Sequence, residues 1–277
     1  MDNLRKNYIS VCLVVYNAQD YIRRCLESVK NIADEIIIVI DGVGLDQTHK
    51  ICKKYTDYII VKEHLGLAEL HLISALKAAT GDWILTIDAD EYLSEKLKEN
   101  IRDLVCNKRV AGYRFLWPLY NGRKYITKYK PFKLVLARKK NICYLGVPHA
   151  QLKINGTVIT VNFLLEHRQN YNKWTLKAFK QIQIPRAKIH AKTLLKNFAD
   201  ISKFQIAEQD WSIRVKFRKR FCFLFPLFGF YKFCWNAFSG EWWNLRALKV
   251  SFFNGLYEAF LGYFILKYRL IPPSRNK

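Results

Sequence analysis

The sequence predicts an α/β protein with a mostly parallel sheet flanked by helices, an antiparallel extension of that sheet, and a helical, aromatic-rich, basic C-terminal region. Apolar runs alternate with helical patterns up to about residue 110, the apolar period then changes to two, and basic and aromatic residues accumulate towards the C-terminus. Strands that are apolar on both faces and alternate with helices are typical of parallel sheets covered on both sides. The 277 residues suffice for one large domain, or for one domain with an appendage.

The first 110 residues contain four strand and helix units. Continuous apolar runs predict strands at residues 9–16, 35–40, 58–61 and 83–87. Apolar residues at helical spacing follow each run and predict helices at about 22–32, 46–55, 67–79 and 94–105. Ligands of such sheets bind beyond the carboxyl ends of the strands. Functional residues are therefore expected directly after each strand.

The remaining chain predicts an antiparallel extension followed by helices. Runs of period two at 113–119, 133–137 and 158–165 predict strands, with hairpin signals at Asn121-Gly122 and Asn155-Gly156. A basic helical pattern from 171 to about 210 is interrupted by Pro185, and a basic cluster at 214–220 precedes an aromatic run at 221–235. We therefore divide the chain into segments 1–110, 111–170 and 171–277.

The formal net charge of +23 belongs entirely to the second part of the chain. Residues 1–110 carry 15 basic and 17 acidic side chains (15 − 17 = −2), which leaves 31 basic and 6 acidic for residues 111–277 (31 − 6 = +25).

Nucleic-acid binding is disfavoured because the aromatic residues are massed in apolar runs and no recognised motif is present. Neither 221–231 nor 250–266 supplies the roughly 20 clean apolar residues of a membrane span.

The basic, aromatic C-terminal segment instead favours peripheral association with an anionic membrane surface. Lysine and arginine would meet the headgroups while aromatic side chains enter the acyl boundary. The alternative is an ordinary helical subdomain whose aromatic residues pack internally.

The seven cysteines are odd in number, widely scattered and without a C-x-x-C pair. This pattern predicts neither a disulfide framework nor a zinc site, and favours small core residues in a reducing compartment. No signal peptide is visible at the N-terminus. We therefore expect a cytoplasmic protein, peripheral on the inner face of the cell membrane.

Carboxylates follow three of the four predicted strands, and the pattern Asp88-Ala-Asp90-Glu91 is the most informative. Alternate residues of an extended segment point the same way, so Asp88 and Asp90 can face one bound object. A desolvated carboxylate pair is costly unless a positive charge lies between its members. Oxygen ligands of this kind suit Mg²⁺ or Mn²⁺, whereas a helix-capping turn is the alternative interpretation.

The first two strand ends offer contacts for a nucleoside. Asp41 can accept hydrogen bonds from a base or a ribose, and Gly42 allows a close backbone approach or a positive φ. The first strand ends in Tyr16-Asn17, where Tyr16 offers a flat face for stacking. Plain packing is the alternative role for Tyr16.

Three segments, SVCLVVYNAQDYIRRCLESV, IIIVIDGVGLDQTHKI and AATGDWILTIDADEYLS, resemble glycosyltransferase family 2 enzymes of the GT-A fold over about residues 8–105. The resemblance implies that segment 1–110 binds a nucleotide-sugar, with a UDP-sugar favoured, and that 111–170 lies on the acceptor side. It implies that Tyr16 and Asp41 hold the nucleobase, and that Asp88 and Asp90 hold the ribose and the divalent metal on the diphosphate. Asn17 and Gly42 are counted with this donor site, as is His71, which stands where many members have Lys or Arg. The resemblance also implies an inverting reaction.

A looser resemblance connects the rest of the chain with lipopolysaccharide-core glucosyltransferases. It rests on Gly146-Val-Pro-His149, on Leu164-Leu-Glu-His167 with Tyr171, and on Asn254-Gly-Leu-Tyr-Glu-Ala-Phe with Tyr268. It implies a lipid-linked, cell-envelope glycan as acceptor. The subgroup typically has His-Glu where this chain reads His149-Ala150.

Sugar transfer also needs a base that accepts the proton of the acceptor hydroxyl. Glu166 is the only carboxylate between Asp103 and Asp200 and is the favoured candidate, with Glu91 and His149 as alternatives. A different role for Glu166 is pairing with Arg168 or Lys173.

Three further histidines complete the set of predictions. His167 either completes the metal site or forms a hydrogen bond in the core, whereas His49 and His190 are expected on helix surfaces. The second function class that remains open is a catalytically inactive nucleotide-sugar-fold binding or scaffold protein at the membrane.

Overall fold

A computed structural model describes residues 7–126, 131–148, 151–169, 172, 174–206, 216, 220–239 and 245–271. The chain divides into two compact units. The first comprises residues 1–170 with 202–205, and the second comprises residues 171–201 with 206–277. His149, Tyr171, Lys173 and most of the basic cluster at 214–220 lie outside the described residues.

The first half of the first unit is a parallel sheet that alternates with helices. Its strands are β1 (Ile9–Val15), β2 (Glu35–Asp41), β3 (Ile59–Lys62) and β4 (Trp83–Thr86). Its helices are α1 (Ile22–Val29), α2 (Thr48–Cys52), α3 (Ala68–Ala78) and α4 (Glu95–Cys106). A short additional strand, β5 (Glu91–Leu93), lies between β4 and α4 and was not predicted.

Both faces of β1, β2 and β4 are buried, as the continuous apolar runs predict, whereas the edge strand β3 is half-buried to exposed. Along β1, Val11, Leu13 and Val15 belong to one apolar cluster, whereas Cys12 belongs to a second cluster with Leu76 of α3. Successive residues of a strand point to opposite faces, so one run supplies both layers of the core. This packing fixes the strands and so fixes the loops at their carboxyl ends.

The antiparallel extension adds β6 (Gly112–Leu116), β7 (Phe132–Arg138) and β10 (Val158–His167) to the same sheet. The strand order is β3-β2-β1-β4-β7-β6-β10-β5. Strand β7 is antiparallel to β4 and β6, β10 is parallel to β6, and β5 is antiparallel to β10. The fold-class prediction of a mostly parallel sheet with an antiparallel extension is confirmed.

A second, three-stranded sheet was not predicted. It has the order β11-β8-β9, with β8 (Ile142–Leu145), β9 (Lys153–Ile154) and β11 (Lys203–Phe204). The turn at Asn155-Gly156, where Gly156 has φ 133°, therefore joins strands of two different sheets. The hairpin expected there is wrong, because β9 pairs with β8 while β10 pairs with β6.

The second unit is helical. It contains α5 (Leu176–Ala178), a π-helical turn (Phe179–Gln183), α6 (Ile184–Leu195), α7 (Phe225–Ser239) and α8 (Leu245–Leu270). Pro185 lies in the first turn of α6, where a missing backbone N–H is tolerated. The interruption predicted at Pro185 is thus a change of helix type. His190 corrects another prediction, because it is buried and its Nδ1 lies 3.1 Å from the hydroxyl of Tyr257.

Helices α7 and α8 cross at a pair of glycines. A side chain at Gly229 or Gly255 would clash with the backbone of the opposite helix. Phe225 and Gly229 of α7 are buried, whereas several large apolar side chains of this helix are exposed. The exposed residues of α7 include Leu227, Phe228, Phe230, Tyr231 and Trp235. Within the described residues, no helix combines the length and the apolar character that crossing a bilayer requires.

All seven cysteines are free thiols. Five are buried, Cys234 is half-buried and Cys106 is exposed, so the expectation of core thiols fails at Cys106. Burial raises the pKa of the Cys52 thiol to about 12, and the nearby charge of Asp46 adds to the rise.

Candidate active site

The carboxyl ends of β1 and β2 carry the first group of predicted residues. Asp41 is buried, and its Oδ1 accepts from the backbone N–H of Leu65 at 2.6 Å. Its Oδ2 accepts from the N–H of Gly66 at 2.9 Å. Two imidazoles also lie against the carboxylate, with His71 Nε2 3.0 Å from Oδ1 and His64 Nδ1 3.5 Å from Oδ2. The carboxylate of Asp41 therefore holds the loop after β3 against the end of β2.

Tyr16, Asn17 and Gly42 lie around this buried carboxylate. Tyr16 is 38% exposed, and its ring centroid lies 4.2 Å from that of His64. Asn17 has a positive φ of 43°, and its Oδ1 accepts from the N–H of Leu45 at 3.1 Å. Gly42 has φ 91°, and a Cβ there would lie 2.6 Å from the Cβ of His64, so only glycine fits.

A cavity of about 430 Å³ opens beside the loops that follow β1 and β2. Asn17, Gly42 and Gly44 lie in its wall, together with Ile40 and Val61. Its volume is within the range of small-molecule sites, about 300–1,000 Å³. The cavity therefore offers space for a ligand at the sheet edge where the sequence predicts one.

The second group forms where β5 pairs with the end of β10. The antiparallel register places His167 opposite Glu91, and His167 Nε2 lies 3.3 Å from Oδ2 of Asp90. The imidazole is buried and stacks on Trp117, with 4.5 Å between ring centroids and 17° between planes. Among the described residues, Nδ1 of His167 is a buried nitrogen with no hydrogen-bond partner. The strand pairing thus brings an imidazole to the predicted acidic motif from 77 positions later in the sequence (167 − 90 = 77).

Lys133 lies between the acidic side chains of this group. Its Nζ is 2.6 Å from Oδ2 of Asp88 and 2.6 Å from Oε1 of Glu91. Burial alone would lower the pKa of Lys133, but the charges of Asp88 and Glu91 outweigh it and hold that pKa above its usual value. Lys133 is therefore a fixed positive charge within an acidic site.

Glu91 has no exposed surface, and both carboxylate oxygens are engaged. Its Oε2 accepts from the N–H of Asp88 at 2.9 Å, and its Oε1 accepts from Trp117 Nε1 at 2.5 Å. Burial raises the pKa of Glu91, and the ammonium of Lys133 opposes that rise. This geometry does not present Glu91 to an incoming substrate.

Glu166 occupies the position before His167 on β10, and successive strand residues point to opposite faces. Its Oε2 accepts from the hydroxyl of Tyr125 and from Nε of Arg168, the latter at 2.9 Å. Burial and the charge of Glu166 raise the pKa of Tyr125 above its usual value. The pairing of Glu166 with Arg168 is observed, and the side chain remains 14% exposed.

The donor set can be tested against a divalent cation. Among the described residues, no three His, Cys, Asp or Glu side chains converge on one point. Mg²⁺ usually takes only one or two carboxylates from the protein and keeps positions for water and phosphate. Adjacent donors of an octahedral ion at about 2.1 Å lie about 3 Å apart, close to the 3.3 Å between Asp90 Oδ2 and His167 Nε2. The spacing of Asp90 and His167 therefore fits two neighbouring positions of such an ion, whereas the carboxylate of Asp88 is paired with Lys133.

Sequence reasoning missed Lys133 and Trp117. The antiparallel register of β4 with β7 pairs Leu85 with Leu136, and its extension by three residues brings Lys133 opposite Asp88. The one signal in the sequence is a lysine within an otherwise apolar run, FKLVLA. That signal has no meaning until the register is known.

Comparisons with known proteins agree with this architecture. The family model described as glycosyl transferase family 2 matches residues 10–163, which is more than half of the chain. The chain is 28% identical over 246 residues to an uncharacterized glycosyltransferase of Rickettsia typhi, covering 80% of each protein. An uncharacterized glycosyltransferase of Rickettsia felis is 40% identical over 105 residues, which are 38% of this chain and 36% of the relative.

Among solved structures, the chain is similar to glucosyl-3-phosphoglycerate synthase from Mycobacterium tuberculosis. The TM-score is 0.47 at 13% identity, over 73% of this chain and 88% of the synthase.

Proposed function

The chain belongs to glycosyl transferase family 2, and from this premise we propose that it moves a sugar from a nucleotide-sugar to a lipid-linked glycan of the cell envelope. A UDP-sugar is the favoured donor, and Mg²⁺ or Mn²⁺ is the proposed cofactor. The observation that carries the proposal is the pairing of β5 with β10, which joins His167 to the Asp88-Ala-Asp90 motif. An α/β sheet with this acidic edge fits a diphosphate bound through a divalent cation.

The residues of the proposed metal site have different roles, as ligands or as neighbours that position a ligand. Asp90 and His167 are the proposed protein ligands, and Asp88, which is exposed and paired with Lys133, is the further carboxylate proposed for the site. When bound, the cation would neutralise the negative charge that develops on the leaving diphosphate. Trp117 fixes the plane of the His167 ring by stacking on it.

The donor nucleoside is proposed to lie at the ends of β1 and β2. Tyr16 presents an exposed ring face, and Asn17 and Gly42 line the adjacent cavity. Asp41 is the proposed anchor of the nucleobase and also holds the loop that contains Leu65 and Gly66. His71 contributes through its contact with Asp41.

Glu166 is the proposed base of an inverting transfer. Among the described residues its contacts, from the Tyr125 hydroxyl and the Arg168 guanidinium, both fall on Oε2, and Oε1 is the oxygen proposed to take the proton of the acceptor hydroxyl. The guanidinium of Arg168 orients the carboxylate. Glu91 is less suited because it is fully buried and paired with Lys133. His149 remains the imidazole alternative, outside the described residues.

The helical unit supports the proposed membrane location of the acceptor. Leu227, Phe228, Tyr231 and Trp235 of α7 are exposed at spacings that place them on one side of the helix. Lys216 and Arg220, which precede this helix, are exposed and basic. An apolar stripe beside basic residues is typical of helices that lie in the interface of an anionic membrane. The resemblance to lipopolysaccharide-core glucosyltransferases is in keeping with such an acceptor.

Co-sedimentation with vesicles tests the membrane location. The protein should pellet with vesicles that contain phosphatidylglycerol at low salt, and high salt or the double substitution Lys216→Glu with Arg220→Glu should release it. Lys98→Glu, at a half-exposed position on α4, is the matched control and should pellet like the native protein. Equal binding to neutral vesicles at every salt concentration would contradict an electrostatic contribution.

A panel of nucleotide-sugars tests the function itself. Release of the nucleoside diphosphate should require Mg²⁺ or Mn²⁺, should stop with a chelator, and should accelerate when the acceptor is added. NMR of the product anomer then tests inversion. Tight nucleotide binding without release under any condition would favour the inactive binding or scaffold protein.

A further inference from the structure

Lys133 carries a positive charge at the point where the proposed metal and diphosphate would meet. Its ammonium contacts Asp88 and Glu91 at 2.6 Å each, and it lies 5.4 Å from the ring centroid of Trp117. Three carboxylates, those of Asp88, Asp90 and Glu91, follow one another within four positions here, and among the described residues the ammonium of Lys133 contacts two of them.

The two partners of Lys133 differ in how firmly they are held. Glu91 is fully buried and accepts from Trp117 and from the backbone of Asp88, so it has no freedom to follow a ligand. The side chain of Asp88 is 58% exposed. The lysine is thus anchored on the inner side by Glu91 and bound on the outer side to a carboxylate that solvent and ligands reach.

We propose that Lys133 is a diphosphate-binding residue that, before the donor binds, neutralises the carboxylate of Asp88 and so weakens metal binding in the absence of nucleotide. In the free protein its ammonium and a divalent cation compete for Asp88. With the donor present, the ammonium turns from Asp88 to a phosphate oxygen while Glu91 keeps the base of the side chain in place. Metal and nucleotide-sugar then bind together more tightly than either binds alone.

The inference rests on the proposed function and adds a residue to it. Many family members have Lys or Arg where this chain has Leu70, His71 and Leu72. Lys133 would supply the missing positive charge through a charge-assisted hydrogen bond to a phosphate of the donor. An ammonium beside a carboxylate disfavours a second cation there, just as it disfavours a proton.

Lys133→Met is the test, because methionine is an unbranched side chain only one atom shorter than lysine and carries no charge. Calorimetry of the whole chain with Mn²⁺ alone should show affinity raised by about tenfold or more, the scale of a neighbouring-charge effect. Titration with UDP in the presence of chelator should show affinity lowered by about tenfold, the loss of one charge-assisted hydrogen bond. Lys140→Met, just beyond the opposite end of β7, is the matched control and should change neither affinity.

Lys133→Met leaves the charge of Glu91 buried without its cation, which can destabilise the fold. A second variant therefore removes this buried charge as well. The double substitution Lys133→Met with Glu91→Gln removes both charges and keeps an acceptor for Trp117. It should retain the loss of UDP affinity, since the ammonium is absent in both variants.

Two outcomes would overturn the inference. One is a Mn²⁺ affinity that is unchanged or lowered in Lys133→Met, and the other is a UDP affinity equal to that of the native protein in both variants. Failure of the proposed function is distinguishable, because the native protein itself would then bind no UDP. A native protein that binds no UDP would also contradict the proposed binding of the donor diphosphate by Lys133.

Discussion

Asp41 and His71 form a buried pair in which the carboxylate Oδ1 lies 3.0 Å from the imidazole Nε2. The same imidazole nitrogen lies 3.0 Å from the carbonyl oxygen of Glu63, in the loop that Asp41 holds through two backbone N–H groups. The residue proposed to bind the nucleobase is therefore also the residue that shapes the surrounding loop. Binding and local stability are coupled at Asp41.

Asp41→Asn should lower both stability and nucleotide affinity. The amide offers one oxygen in place of two, so its NH₂ group would face the N–H of Leu65 or Gly66 and leave a buried donor unpaired. We expect the free energy of unfolding to fall by about 1–3 kcal/mol, measured by urea denaturation. Asp57→Asn, at an exposed position, should stay within about 0.5 kcal/mol of the native protein. Unchanged stability with weaker UDP binding would show that the loop does not depend on Asp41.

His167→Ala should weaken metal binding while the sheet persists. We expect Mn²⁺ affinity in the presence of UDP to fall by at least about tenfold, measured by calorimetry. The change also leaves space beside Trp117, so circular dichroism should confirm the fold before affinities are compared. Glu99→Ala, at an exposed position on α4, is the control. Full affinity in His167→Ala would contradict the assignment of the imidazole as a ligand.

The sequence was sufficient to predict those parts of the fold that depend on local pattern. Strands β1 to β4 are continuous apolar runs in the sequence and alternate with α1 to α4, so their order and their functional edge follow from periodicity and a topological rule. The position of Asp88 and Asp90 at that edge could be predicted for the same reason. The segments that resemble glycosyltransferase family 2 enzymes lie in this same part of the chain.

Features that depend on long-range register could not be predicted. Strand β5 has three residues, too few to show a period, yet it brings Glu91 opposite His167. Lys133 reaches Asp88 only because β7 runs antiparallel to β4. His190 was expected on a surface because its own helix is basic, whereas packing from α8 buries it through Tyr257.

Acid should destabilise the first unit through Asp34, among other carboxylates. Burial raises the pKa of Asp34, but Arg102 at 2.9 and 3.0 Å and the N–H of Ile9 at 2.7 Å outweigh it, so the pKa is lowered overall. A lowered folded pKa gives stability that is present above the unfolded value of about 3.9 and is lost as pH falls through the folded value.

The substitution Asp34→Asn isolates this contribution. The variant should be less stable than the native protein by about 1 kcal/mol above pH 5, and the difference should shrink as the pH is lowered below about 4. Urea denaturation between pH 7 and pH 3 measures it. Asp103→Asn, at an exposed position on α4, should show no such pH-dependent difference. A difference that stays constant with pH would contradict an ionised role for Asp34.

Glu166→Gln should abolish most turnover and leave the donor site intact. The amide oxygen can still accept from Tyr125 and Arg168, so the local structure should be retained, whereas the amide cannot take a proton from the acceptor. Loss of a general base costs about 10²–10⁴-fold in rate, and we expect kcat to fall within that range while the UDP affinity stays unchanged. Glu99→Gln, exposed on α4, should turn over normally. Near-normal kcat in Glu166→Gln would direct the search for the base to His149, because Glu91 is enclosed by Lys133, Trp117 and the backbone of Asp88.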